Sequence, residues 1–265
     1  MDLSFPPSSF EPLFAAEDRH FWFRGRNHLL SSLVRQLTKD LPDGFRVLEV
    51  GCGTGNVLRA IEKECPRGRV FGMELFQEGL KFARQRVSCP LIAGDAHHSP
   101  FSVKFDLIGL FDVLEHLKDD LPILRDLHSQ IADGGALLIT VPAHPSLWSY
   151  ADVAACHQRR YTRRQLGRIL QEVGFEVEFL TEFMMTIFPL LWLKRRAAAI
   201  TTPEGLRDAQ TALALGREEL RIVPGLNGLL TQLLFLEARL VSRRVRLPFG
   251  VSLLAIARKR DRFKV

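Results

Sequence analysis

The chain has no C-x-x-C pair, no basic leader running into an apolar core, and no apolar stretch long enough to cross a bilayer. Its cysteines, Cys52, Cys65, Cys89 and Cys156, stand at neither zinc nor redox spacing. Reduced thiols of a cytoplasmic protein are therefore expected, with no metal site. Residues 1–7 carry no signal-peptide pattern, so no secretory leader is expected. The longest apolar run, residues 183–193, is broken by Thr186 and Pro189, which argues against a spanning helix. The phosphate-cradling pattern G-x-x-x-x-G-K-[ST] is missing. The dinucleotide pattern G-x-G-x-x-G fails because Asn56 stands in place of its last glycine. Acid is in deficit: 36 Lys and Arg face 30 Asp and Glu, a net +6 that is unevenly placed.

What is present suits one α/β domain with an insertion. There are 265 residues, and 46% of them are apolar, enough for a full core and too many for disorder. Residues 47–56 organise the rest. Val47, Leu48 and Val50 read as a buried parallel strand. Gly51, Gly53 and Gly55 follow at alternate positions, and Val57, Leu58 and Ile61 then recur at helical spacing. Strand, glycine turn and helix start form the nucleotide-binding corner of a doubly wound sheet.

Four more strands follow from the pattern. Residues 69–74 end on Glu74, 23 positions after Gly51, where an acid can accept both hydroxyls of a ribose. Residues 90–93 lead into Gly94-Asp95-Ala96. Residues 105–110 lead into Phe111-Asp112-Val113-Leu114-Glu115-His116. Residues 136–141, after a Gly134-Gly135 turn, are stopped by Pro142. Asp119 and Asp120 before Pro122 signal a helix start. Thr162 and Gln165 form a capping box for a helix that Gly174 ends.

The string E-x-G-x-G-x-G from Glu49 to Gly55 resembles motif I of class I S-adenosylmethionine-dependent methyltransferases. An acid there suits a ligand that carries an ammonium and a sulfonium rather than a pyrophosphate. Glu74 and Asp95-Ala96 fit the family's second and third motifs. Asp112 to His116 resembles the D-x-L-E-H segment of its small-molecule, ubiquinone-biosynthesis branch. The resemblance implies a Rossmann-like α/β fold, a doubly wound seven-stranded sheet with strand seven antiparallel. S-adenosyl-L-methionine is the implied cofactor. Its contacts are expected at Glu49, Gly51, Cys52, Gly53, Gly55, Glu74, Leu75, Asp95, Ala96, Phe111, Asp112 and His116. In the family, the acid after strand three meets the adenine amino group.

Methyl transfer often needs a base, and histidine is the usual one near neutral pH. His144 and His157 are the candidates, each also readable as a loop histidine ordering local backbone. Substrate contacts are expected at Trp22, Tyr150, Asp152, Arg159, Arg160 and Tyr161. The two arginines suit an anionic group, or else pair with Asp152 or face water. Arg-Arg-Tyr-Thr with an upstream Asp and His is frequent in this branch. His97-His98 is not a two-ligand metal site, because adjacent side chains diverge in extended backbone.

Four regions result: an aromatic helical cap over 1–43, whose first 18 residues wrap the surface; the cofactor-binding core over 44–182; a helical insertion over 183–248; and the last strand with a basic tail over 249–265. Residues 203–221 and 226–245 read as helices. The insertion holds 10 Lys and Arg against 5 Asp and Glu, 10 − 5 = +5, most of the chain's excess. Apolar faces bounded by arginine suit a lid, a dimer face, or an anionic membrane surface met from the cytoplasmic side. A monomer and a homodimer both fit. The expected function is methyl transfer to a small-molecule or lipid-like acceptor, on oxygen. Methylation of nucleic acid or protein, or cofactor binding without catalysis, are the alternatives. No Asn/Asp-Pro-Pro-Tyr-type segment follows strand four, so nucleic acid is not expected as a partner.

Overall fold

A computed structural model describes residues 5–97, 100–201 and 209–260. His98, the start of the expected helix from 203 and the basic tail beyond 260 lie outside them.

The N-terminal cap is two helices, α1 (Phe10–Glu17) and α2 (Phe21–Thr38). Within the segment expected to wrap the surface, the structure forms α1. In α1, Phe10, Ala16 and Glu17 are buried. The core then alternates β1 (Arg46–Val50), α3 (Asn56–Glu64), β2 (Arg69–Glu74), α4 (Gln77–Ala83), β3 (Leu91–Ala93), β4 (Phe105–Phe111), α5 (Asp120–Gln130) and β5 (Ile131–Pro142). A short α6 (Tyr150–Ala154) and α7 (Arg163–Val173) precede β6 (Phe175–Phe183). The insertion supplies α8 (Phe188–Thr201), α9 (Ala209–Glu219) and α10 (Leu226–Ser242), and β7 (Ser252–Lys259) closes the sheet.

The seven strands lie in the order β3-β2-β1-β4-β5-β7-β6. β1 pairs in parallel with β2 on one side and β4 on the other, so the chain reverses its winding between them. That switch point is where doubly wound sheets open a ligand crevice. β7 runs antiparallel to both β5 and β6. Alternate strand residues bury two apolar layers, one under α2, α3 and α10, the other under α5 and α7.

The local signals act as read. Asp119 caps α5 by accepting from the Leu121 amide, and Thr162 and Gln165 cap α7 reciprocally. Gly174 ends α7 at φ 103°. The Gly134-Gly135 turn is different. β5 begins at Ile131 and runs through both glycines, with a register break where Phe105 faces Ile131 and Leu107 already faces Ala136. Gly134, at φ 77°, absorbs the extra residues as a bulge rather than reversing the chain.

The insertion folds back onto the cap. α10 packs along α2, where His28 stacks on Phe235 at 4.3 Å and the Phe21 amide donates to Asn227 Oδ1 at 2.8 Å. Gly25 makes this approach feasible, since a Cβ there would stand 2.7 Å from Leu234. Leu229, Leu236 and Leu240 face outward on α10, beside exposed Arg239 and Arg243. Among the described residues no helix is long and apolar enough to cross a membrane.

Candidate functional site

A cavity of about 780 Å³ opens at the carboxyl ends of β1, β2 and β4. This is within the range of about 300–1,000 Å³ that small-molecule sites occupy. Its floor is the glycine turn; its walls come from the cap, the loop before α7 and the insertion.

The turn is built by backbone rather than side chains. The amides of Gly51 and Cys52 both donate to the Met73 carbonyl, at 2.8 and 3.0 Å, which ties the end of β1 to β2. Gly51 has φ 72°, and a Cβ on it would stand 2.5 Å from Val113, so only glycine fits. Gly55 has φ 76° and seats the start of α3 against Ala83. It does not line the cavity, so its expected cofactor contact is corrected to a backbone role.

Two carboxylates sit under the turn. Glu49 is 2% exposed, and its Oε2 has no hydrogen-bond partner. Burial pushes its carboxyl well above the usual range, and nearby Arg26 offsets this only in part. Glu74 accepts from the amides of Gly53 at 2.8 Å and Phe76 at 3.0 Å. Burial raises its carboxyl too, and those amides restrain the rise. Leu75, Asp95, Ala96 and Phe111 continue the same wall, together with Cys52 and Gly53.

Asp112 follows β4 at φ 54°, unusual for a residue with a side chain. Two bonds hold it: Arg26 donates from Nη1 at 2.6 Å, and Thr140 donates from its hydroxyl at 3.0 Å. The cap therefore clasps the core through Arg26, a partner no local pattern announces. A second clasp joins Glu17 of α1 to the Thr54 hydroxyl and to Arg86, whose Nη1 is 2.5 Å away. Trp22 lines the cavity from α2.

On the far wall, Asp152 is fully buried at a hub. It accepts from the Ser149 amide at 2.8 Å, Arg160 Nε at 2.7 Å and His157 Nδ1 at 2.9 Å. Burial alone would raise its carboxyl, but His157 and Arg160 hold it down at about 2. With Nδ1 committed to Asp152, the other ring nitrogen of His157 faces Glu115, 3.9 Å away. His116 packs edge-on to that ring at 4.9 Å. Asp152, Arg160, His157, Glu115 and His116 all line the cavity.

Glu115 is one of the residues that sequence reasoning passed over as a site residue. It is 0% exposed, neither oxygen accepts a hydrogen bond, and burial pushes its carboxyl far up. Its only signal was the phrase that contains it. Glu115, His116 and His157 bring one ligand atom each within 4.8 Å of the others. These are donor types a metal ion can use, where no metal site was expected.

Four expected site residues turn away from the cavity. His144 lies outside it, with Nε2 bonded to Glu182 at 2.7 Å. Arg159 pairs with Asp120 at 3.1 Å. Tyr161 is buried and donates to the same Asp120 at 3.0 Å, pinning the loop before α7 to α5. Tyr150 donates to Glu219 at 2.7 Å, fastening α6 to α9. Each has found a partner close at hand, which leaves Asp152, His157 and Arg160 as the residues of that loop brought to the cavity.

The profile of a family described as "Methyltransferase domain" matches residues 22–179. A demethylmenaquinone methyltransferase of Geobacillus kaustophilus is 26% identical over 184 residues, 65% of this chain and 77% of that protein. A ubiquinone biosynthesis O-methyltransferase of Leptothrix cholodnii is 28% identical over 160 residues, 57% of this chain and 62% of that one. The chain thus spans between about half and three-quarters of the curated relatives it matches. Among solved structures, a putative methyltransferase of Haloferax volcanii, in complex with its Trm112 activator, superposes with TM-score 0.59 at 16% identity, over 98% of this chain and 96% of that one.

Proposed function

The chain belongs to the S-adenosylmethionine-dependent methyltransferase family, and from that premise we propose that it transfers a methyl group to a small-molecule or lipid-like acceptor, on oxygen. One observation supports the cofactor reading above the others. Glu49 offers a buried carboxylate oxygen with no partner beneath the Gly51–Gly53 turn, in a cavity wall. A burial cost of that kind is recovered when a cation arrives.

S-adenosylmethionine, when bound, supplies a methyl on a positively charged sulfur. Glu49 would face its cationic methionine end, Glu74 its ribose, and Asp95 with Ala96 its adenine. Arg26 and Glu17 keep the cap closed over that half, which excludes water. The acceptor half falls to Trp22 and the loop before α7. There His157 Nε2 would take the acceptor's hydroxyl proton, while Asp152 fixes the ring's tautomer and orientation through Nδ1.

The test is turnover. The full chain with methyl-labelled S-adenosylmethionine and a cell extract should yield a product heavier by one methyl. No labelled product, with cofactor binding intact, would favour a binding protein without catalysis. Activity should survive dialysis against EDTA. Loss restored by zinc would instead make Glu115, His116 and His157 metal ligands.

The outward leucines of α10, flanked by Arg239 and Arg243, support peripheral contact with an anionic membrane. The protein should then sediment with vesicles containing anionic lipid and not with neutral ones, and less so as salt rises. Equal sedimentation with both would sink this.

A further inference from the structure

We propose that the acceptor half of the cavity takes an amphiphile with an oxyanion head, and that Arg195, on α8 of the insertion, holds the head. This rests on the methyl-transfer reading for what becomes of the ligand, not for its binding.

Three consecutive cations on α8 take three directions. Arg196 stacks outward on Trp192, 5.4 Å from the ring centre. Lys194 pairs with Glu219 at 3.2 Å. Arg195 turns inward, is 9% exposed, and lines the cavity. Its Nη1 donates to the Leu147 carbonyl at 2.8 Å, while its Nε has no partner. No ion pair with a carboxylate is found for it among the described residues.

The surrounding charge does not balance. Arg160, 7% exposed, lines the same cavity. Its companion Asp152 already serves His157 and the Ser149 amide. Burial lowers the Arg160 pKa, Asp152 opposes that, and the charge of Arg195 lowers it further, so the two guanidiniums feel each other. Glu115 does not compensate, because burial favours its neutral form. Glu219 is engaged by Lys194 and by the Tyr150 hydroxyl. A surplus of buried positive charge is costly until an anion meets it. Guanidinium matches phosphate and carboxylate by its planar fork of donors.

Beside Lys194, Glu219 and the exposed Glu218, that half carries a set of apolar side chains. Leu190 and Leu191 of α8, Leu213 of α9, and Val223, Leu226 and Leu230 at the start of α10 line it. Leu190, Val223 and Leu226 are about half exposed, which is a loss unless a hydrocarbon covers them. The Arg195 guanidinium and the apolar lining therefore both come from the insertion, with Arg160 facing them from the loop before α7, and together they describe one ligand.

Calorimetry on the full chain, loaded with S-adenosylhomocysteine, tests this with hexyl phosphate, hexanol and inorganic phosphate as probes. Hexyl phosphate should bind, hexanol should bind far more weakly, and inorganic phosphate should fall between them. Arg195→Gln should weaken hexyl phosphate by about tenfold or more, the loss expected for one charge-assisted contact. Arg195→Lys should recover part of it, and S-adenosylhomocysteine affinity should not change in either variant. Equal binding of hexyl phosphate and hexanol overturns the head, without recourse to any variant. Equal binding of hexyl phosphate and inorganic phosphate overturns the tail. Full hexyl phosphate affinity in Arg195→Gln removes Arg195. Failure of the wild type to bind S-adenosylhomocysteine is a separate result that strikes the methyl-transfer reading alone.

Discussion

Replacing His157 with glutamine should slow methyl transfer by about a hundred- to ten-thousandfold, the usual range for a lost general base, with cofactor affinity unchanged. The reasoning begins at Asp152. That carboxyl is held down at about 2, so it stays ionised at every pH an assay would use. It accepts from His157 Nδ1 at 2.9 Å, which leaves Nε2 with the lone pair on the cavity side. Glutamine keeps an amide near Asp152 but has no basic nitrogen. Asp152→Asn should also slow the reaction, yet with damage to folding, because Arg160 loses its buried partner. His144→Gln is the contrast. That ring is bonded to Glu182 outside the cavity, so turnover should hold. A fully active His157→Gln protein would end the assignment.

The contrast between the two histidines shows what a sequence carries and what it does not. Both stand in the long connection after β5, and only the family resemblance of Asp152 and His157 ahead of Arg-Arg-Tyr-Thr set one of them apart. The fold separates them in space, by sending one ring to Glu182 and the other to Asp152. The half of the cavity proposed for the cofactor could be read from the sequence because its signals are local. Glu49, the glycine turn, Glu74 and Asp95 each sit at a strand end, and strand ends can be read from apolar runs. The capping box at Thr162 was legible for the same reason. Arg159 and Tyr161 misled, since both side chains suit a ligand as well as they suit Asp120. Arg26 and Glu17 were missed because their partners, Asp112 and Thr54, are 86 and 37 residues away. No period or spacing encodes such a contact. The helix of residues 10–17 was not placed within the cap, because no apolar period marks it.

Glu49→Gln should weaken S-adenosylmethionine binding by about ten- to a hundredfold near neutral pH, the worth of one charge-assisted contact in a buried site, and should abolish its pH dependence. In the empty site burial favours the protonated form of Glu49, as do the neighbouring charges of Glu74 and Glu17, while Arg26 pulls the other way. A sulfonium and an ammonium nearby stabilise the ionised form, so binding expels the proton. Affinity should therefore rise with pH, by up to about tenfold per unit while one proton is released, and level off above the raised pKa of the empty site. Calorimetry in buffers of different ionisation enthalpy reads that proton directly. Folding stability should move the opposite way. A carboxyl whose folded pKa lies above its unfolded one contributes fully below the unfolded value and loses that contribution as pH rises through the folded one. Glutamine does not ionise, so the variant should melt no lower than wild type, and higher in alkaline buffer. Weaker binding together with equal or greater stability would identify a residue kept for its ligand at the expense of the fold. The same pH slope in wild type and variant would place the proton elsewhere, and a pH-independent wild type would mean that Glu49 does not face the cationic end at all.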